Sequence, residues 1–138
     1  MNIIGIDLGT TYSGLAVLDE IGRPEIVPNS DGERITPSVV FFDPDEEGRV
    51  EVGDEARKQM VLHPDHVIVE VKQRMGKVKS IDVGSSSLTP AEVSSLILKK
   101  LIQDAEKLKG KIDEAVITVP ANFSEKARVA TKEAGKLA

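Results

Sequence analysis

The sequence predicts an α/β fold, and three stretches carry that prediction. Residues 2–18 open with an apolar strand ending in Asp7, turn through Gly9-Thr10-Thr11, and return as a second strand. Thr89-Pro90-Ala91-Glu92 announces a long helix with one apolar stripe. Residues 115–119 are a nearly continuous apolar run, the pattern of a strand buried on both faces of a sheet.

The elements follow in order. Ile3–Asp7 and 15–18 read as the first two strands, and 20–24 turns the chain into a third at 25–27. Asn29-Ser30-Asp31-Gly32 is a turn cluster. Strands at 38–42 and Val50–Val52 pair across an acidic loop, 43–49. A short helix is expected over 54–62, stopped by Pro64. Residues 67–75 are apolar enough for a second short helix with Gly76 as its glycine C-cap. Residues 77–88 carry few structure signals, and Val83-Gly84-Ser85-Ser86-Ser87 reads as a flexible loop. Thr89 then serves as N-cap, with proline at the first helical position and Glu92 at the third. Val93, Leu96, Ile97, Leu101, Ala105 and Leu108 form the buried stripe of this helix, which Gly110 ends. A last helix starts at the N-cap Ser124 and turns Ala127, Ala130, Ala134 and Leu137 to the core. No C-cap or further strand follows, so Ala138 reads as a cut end.

Bulk properties exclude several classes of function. A chain of 138 residues supports one modest domain. Its net charge of −5 argues against nucleic acid or an anionic membrane as partner. With no cysteine there is no disulfide, thiolate nucleophile or zinc-thiolate site. The start shows no basic region followed by a long apolar run, and no stretch approaches membrane-spanning length. A cytoplasmic, soluble chain is expected.

The first hairpin carries the chemistry. Glycine lets the main chain come close to a ligand, and successive amides form an anion nest that suits a phosphate. Thr10 and Thr11 add hydroxyl donors, and Asp7 can face a hydrated magnesium ion opposite the phosphates. The loop is not of the Walker type, because no G-x-x-x-x-G-K-[ST] occurs. Asp43-x-Asp45-x-Glu47-Gly48 faintly echoes a calcium loop, but Pro44 and the preceding strand favour a solvated hairpin turn. His63 and His66 do not make a metal pair, since Pro64 breaks the helical geometry between them.

This hairpin resembles the phosphate hairpin of the actin-like ATPases. Three more motifs choose within that superfamily. Arg34-Ile35-Thr36-Pro37-Ser38 resembles an R-x-T-P-S strand, Val71-Lys72-Gln73-Arg74-Met75-Gly76 a segment carrying a catalytic lysine, and Val116-Ile117-Thr118-Val119-Pro120-Ala121-Asn122-Phe123 an inter-lobe segment, with Arg128 at matching spacing. Together, in this order, they resemble the DnaK-type seventy-kilodalton heat-shock chaperones. The resemblance implies a ribonuclease-H-like fold, a truncated first lobe with an inserted small α+β subdomain. Residues 1–33 would supply core strands, 34–88 the outer insertion and 89–138 a helix–strand–helix return.

It also implies an activity: hydrolysis of ATP to ADP and phosphate with Mg2+, coupled to the binding and release of unfolded polypeptides. Co-chaperones and a nucleotide exchange factor would be partners of the parent protein. Gly9, Thr10, Thr11 and Tyr12 would hold phosphate, Asp7 the magnesium ion through water, Lys72 the terminal phosphate, and Pro120 and Arg128 an inter-lobe relay. This chain departs from the family in its short 77–88 segment and in Asn122, where an aromatic residue is usual. The family's second phosphate hairpin, catalytic glutamate, adenosine site and peptide-binding domain would lie beyond residue 138, so the chain alone is expected to be inactive. A sugar-kinase lobe and a free-standing interaction module are the alternatives. Self-association through the 115–119 edge is a further expectation.

Overall fold

Strand β1 (Ile3–Asp7) buries Ile4 and Ile6 on one face and leaves Ile3, Gly5 and Asp7 on the other, the period-two alternation of a half-covered sheet. These belong to a computed structural model that describes residues 2–138. β2 (Tyr12–Leu18) returns antiparallel to β1, and β3 (Pro24–Ile26) pairs on its far side. β2 begins three residues before the expected 15, because Tyr12 and Ser13 pair with β4 (Thr36–Pro37). β5 (Val39–Phe42) follows at once and pairs with β6 (Val50–Val52) across the acidic turn. α1 (Asp54–Lys58) is shorter than the expected 54–62, and irregular turns carry the chain on to Pro64.

Two expectations fail in the next segment. Residues 67–75 are not one helix: β7 (Val67–Val69) pairs antiparallel with β5, and a 3-10 turn covers Val71–Arg74. The β-branched Val-Ile-Val run satisfies its backbone on a neighbouring strand, which overrides the helical reading of its apolar character. Residues 77–88 are not a loop either. β8 (Ile81–Val83) and β9 (Ser86–Leu88) form a hairpin closed by Gly84-Ser85, with Gly84 at φ 58° as a type II′ turn requires.

α2 (Pro90–Lys109) begins with the predicted capping box: the Thr89 side chain accepts the Glu92 N–H, and the Glu92 carboxylate accepts the Thr89 N–H. Its buried stripe comprises Val93, Ile97, Leu98, Leu101 and Ala105, packed in one continuous core with Ile4, Ile6, Leu8 and Leu15 of the main sheet and Val40, Ile68, Ile81 and Val83 of the outer strands. Leu108 is not part of it and stands 58% exposed near the end of the helix. Asp104 is buried on the same helix, where Lys100 pairs with it at 2.7 Å and Ser30 donates its N–H. The Ser30 N–H on Asp104 and the Lys100 ammonium on Ser30 Oγ tie the Asn29–Gly32 turn to α2.

β10 (Glu114–Thr118) runs parallel to β1 in the register Ile3↔Glu114 to Asp7↔Thr118, giving the order β10-β1-β2-β3 with β4 also on β2. The expectation of a strand buried on both faces is wrong, because β10 is mostly exposed and Val116 is 61% accessible. α3 (Glu125–Leu137) packs against it at Gly135, where a Cβ would meet Ile117 Cδ1 at 3.1 Å. Ser124 caps α3 through the Ala127 N–H. Ala127, Thr131 and Ala134 face inward, whereas Ala130 is half-buried and Leu137 exposed. Thr131 is tolerated inside because its hydroxyl donates to the Ala127 carbonyl. No helix among the described residues is long and apolar enough to cross a membrane.

Candidate functional site

The parallel pairing of β1 with β10 brings their carboxyl ends to one edge of the sheet, where ligands of α/β proteins bind. Asp7 closes β1 there, beside Thr118, whose hydroxyl lies 3.5 Å from its carboxylate. Asp7 is exposed and has no ion-pair partner among the described residues. Water therefore meets its charge, and burial does not by itself demand a cation there. Two residues beyond Thr118 comes Pro120.

The turn after β1 is held in a conformation that only glycine permits at position 9. A Cβ on Gly9 would fall 1.9 Å from the Tyr12 carbonyl oxygen. Its N–H is not free for a ligand, since it donates to Ser13 Oγ at 3.2 Å. Gly9 therefore shapes the turn, and Thr10 reaches the cavity. Tyr12 points elsewhere. Its hydroxyl accepts from Arg57 Nη1 at 3.4 Å, and Asp54 first, then Tyr12, holds the guanidinium pKa above its ordinary value.

Lys72 reaches the same edge from the other side. Its 3-10 turn is fixed at both ends: β7 is paired into the outer sheet, and Val71 and Met75 are buried, with Ser94 Oγ donating to Met75 Sδ. Gly76, at φ 73°, packs so closely on the start of α3 that a Cβ there would lie 2.5 Å from the Ala127 nitrogen. The Lys72 ammonium sits 5.9 Å from the centre of the Phe123 ring, a cation–π arrangement. A cavity of about 330 Å³ is lined by Thr10, Lys72, Met75, Pro120, Phe123 and Ser124, among others. Three segments far apart in sequence thus meet at one cleft. Arg128 does not line it and lies exposed on α3.

Glu70 enters the Lys72 turn at φ 55° and ψ 34°, the only non-glycine residue with positive φ among the described residues. A side chain in that region costs about 1 kcal/mol. Glu70→Gly is accordingly expected to keep or raise the melting temperature, where glycine at an ordinary exposed position lowers it. A drop of several degrees in a thermal melt would show that the Glu70 side chain contributes more than its backbone costs.

The other candidates find local partners. Asp43 accepts the Asp45 N–H and pairs with Arg49 inside the hairpin turn. His63 stacks on Phe41, and His66 lies against Gly84, so the two imidazoles serve different contacts. Among the described residues no group of three or more His, Cys, Asp or Glu side chains is placed to hold a metal. Sequence reasoning missed Phe123 at the cleft and the buried Ser13–Ser38 pair under the hairpin turn. Ser38 stood in view as the end of R-x-T-P-S, but its partners lie 25 and 29 residues away.

A family model described as Hsp70 protein matches residues 3–85 and 78–138. The chaperone protein DnaK of Thermotoga neapolitana is 47% identical over 137 residues, which cover 99% of this chain and 23% of that relative. The DnaK proteins of Thermotoga petrophila and Thermotoga maritima are each 46% identical over the same shares. The chain therefore spans about a quarter of the length of these curated relatives. With a matched profile over nearly every residue and identity this high, the chain belongs to the Hsp70 family.

Proposed function

We propose that this chain is part of the ATP-binding and ATP-hydrolysing domain of a DnaK-type chaperone of the cytoplasm, in which hydrolysis is coupled to the binding and release of unfolded polypeptides. The convergence of Thr10, Lys72 and Pro120 on one cleft at the carboxyl ends of β1 and β10 supports this reading most. The donor set fits a magnesium–polyphosphate group: main-chain amides and a hydroxyl at the hairpin, an exposed carboxylate at Asp7 and a half-buried ammonium at Lys72. When bound, magnesium supplies charge neutralisation between the phosphate oxygens.

Lys72 is poised for the anion rather than locked away from it. Its attraction to Phe123 is worth about 0.5–2 kcal/mol, since both residues are half-buried. A phosphate oxygen 4 Å from the ammonium gains about 4 kcal/mol per unit charge near a protein surface. The phosphate wins, and the side chain swings from the ring to the ligand. In this reading Pro120 and Arg128 relay the state of the cleft to the rest of a longer protein, together with its co-chaperones and exchange factor. Residues 34–88 stand as an outer subdomain that meets the core through β4 and through the apolar face of α2.

Two expectations concern the chain by itself. Its affinity for Mg-ATP is expected to be no tighter than about 1 mM, because the resemblance places the adenosine-binding segment outside these 138 residues. Calorimetric titration giving micromolar affinity would contradict this. The open edge of β10 and the exposed Val116 beside it support pairing with a second copy of the chain, as unpaired strand edges recruit other strands. Light scattering is expected to show a dimer at high concentration; a clean monomer would exclude the β10 contact.

A further inference from the structure

Ser13 and Ser38 are each 1% exposed, and neither has a role in the reading above. Their hydrogen bonds admit a single direction. Ser38 Oγ donates to the Gly9 carbonyl at 2.9 Å, which uses its one proton. The 2.8 Å bond between the two hydroxyls is then donated by Ser13, whose oxygen in turn accepts the Gly9 N–H. The three bonds close a ring from the Gly9 N–H through Ser13 and Ser38 to the Gly9 carbonyl. The Ser38 N–H also donates to the Thr11 carbonyl at 2.9 Å.

A trans peptide fixes what this does to the turn. The carbonyl of one residue and the N–H of the next lie in one plane and point in opposite directions. Holding the Gly9 carbonyl toward buried Ser38 therefore turns the Thr10 N–H away from the interior. Holding the Thr11 carbonyl does the same for the Tyr12 N–H. It also removes two carbonyl oxygens that would repel an anion. We propose that Ser13 and Ser38 are positioning residues for phosphate: their ring orients the peptide planes so that Thr10 and Tyr12, and not Gly9, present the main-chain donors. The inference rests on the hairpin being a phosphate site. Ser38 is the residue between β4 and β5, so the outer strands are built onto the turn they orient.

The test uses the 15N-labelled chain with Ser13→Ala, Ser38→Ala, the double variant and Ser38→Thr, which keeps the hydroxyl. Amide exchange at Gly9 is expected to be protected in the wild type and at least ten-fold faster in each alanine variant, with exchange at Ile97 and Leu98 of α2 unchanged. Titration with magnesium tripolyphosphate is expected to move the Thr10 and Tyr12 amides. Apparent affinity should fall about five-fold in either single alanine variant, no further in the double, and be retained with threonine, because the ring acts as a unit. An unprotected Gly9 amide in the wild type overturns the ring. Wild-type affinity in the alanine variants, with Gly9 exchange accelerated, overturns the positioning role. A wild-type chain that shows no shift anywhere with tripolyphosphate overturns the phosphate reading and the positioning role with it, while the exchange result still decides the ring.

Discussion

Lys72→Ala is expected to abolish ATP hydrolysis in a chimaeric DnaK that carries this chain in place of its matching segment, with Mg-ATP binding kept within a few-fold. The ammonium is held at the cleft by a turn that is anchored on both sides, so the substitution removes a charge without moving the backbone. Binding to the ground state draws on many contacts, and one lysine is a small share of them. Charge that develops at the terminal phosphate during transfer depends far more on a single aimed donor, whose removal costs about 10²–10³-fold in rate. Lys72→Arg is expected to do little better, because a planar guanidinium does not replace a compact point charge. Single-turnover hydrolysis and nucleotide binding measured on the same chimaera separate the two effects. Activity within ten-fold of the parent would show that Lys72 does not have this role.

The largest effect on stability is expected from Gly9→Ala. The added methyl would lie 1.9 Å from the Tyr12 carbonyl oxygen, a backbone atom that no rotamer change can move. The turn must open, and the hydrogen-bonded ring through Ser13 and Ser38 opens with it. A cost of about 2–4 kcal/mol follows, the size seen when backbone strain and buried hydrogen bonds are lost together. In a chain of this length that lowers the melting temperature by roughly 10 °C. Gly5→Ala is the control: its Cβ meets only the Ala16 carbonyl, at 4.0 Å, and its melting temperature should stay within a few degrees. Equal losses in the two variants would mean that close approach at Gly9 is not what the glycine provides.

What could be read from the sequence follows the range of the interaction responsible. The capping box at Thr89 closes within four residues, and it was legible to the atom. The hairpin from Ile3 to Leu18 was legible because its alternation and its turn residues lie side by side. The 67–75 segment misled because a short apolar run suits a helix as well as a strand, and only pairing with β5 decides. The 81–88 hairpin was hidden by its serines, although Gly84-Ser85 between Val83 and Ser86 is a recognised two-residue turn. Leu108 and Leu137 show the opposite limit: periodicity places a residue on a helix face but does not say how far the neighbouring element reaches. The cleft was legible in its parts, since Thr10, Lys72 and Pro120, which line it, stand in recognisable motifs. Their bracing was not. Ser13, Ser38 and Phe123 act through partners that only the folded chain brings near.

Amide chemical shifts during a titration with Mg-ATP locate nucleotide on the chain, because they report where weak binding occurs without requiring turnover. The perturbed residues are expected to cluster at Thr10, Thr11 and Tyr12, at the Val71–Arg74 turn and at Phe123, with saturation at millimolar nucleotide. Shifts confined to the basic end of α2 around Lys107 and Lys109, or no shift at the cleft at 10-fold higher concentration, would contradict it.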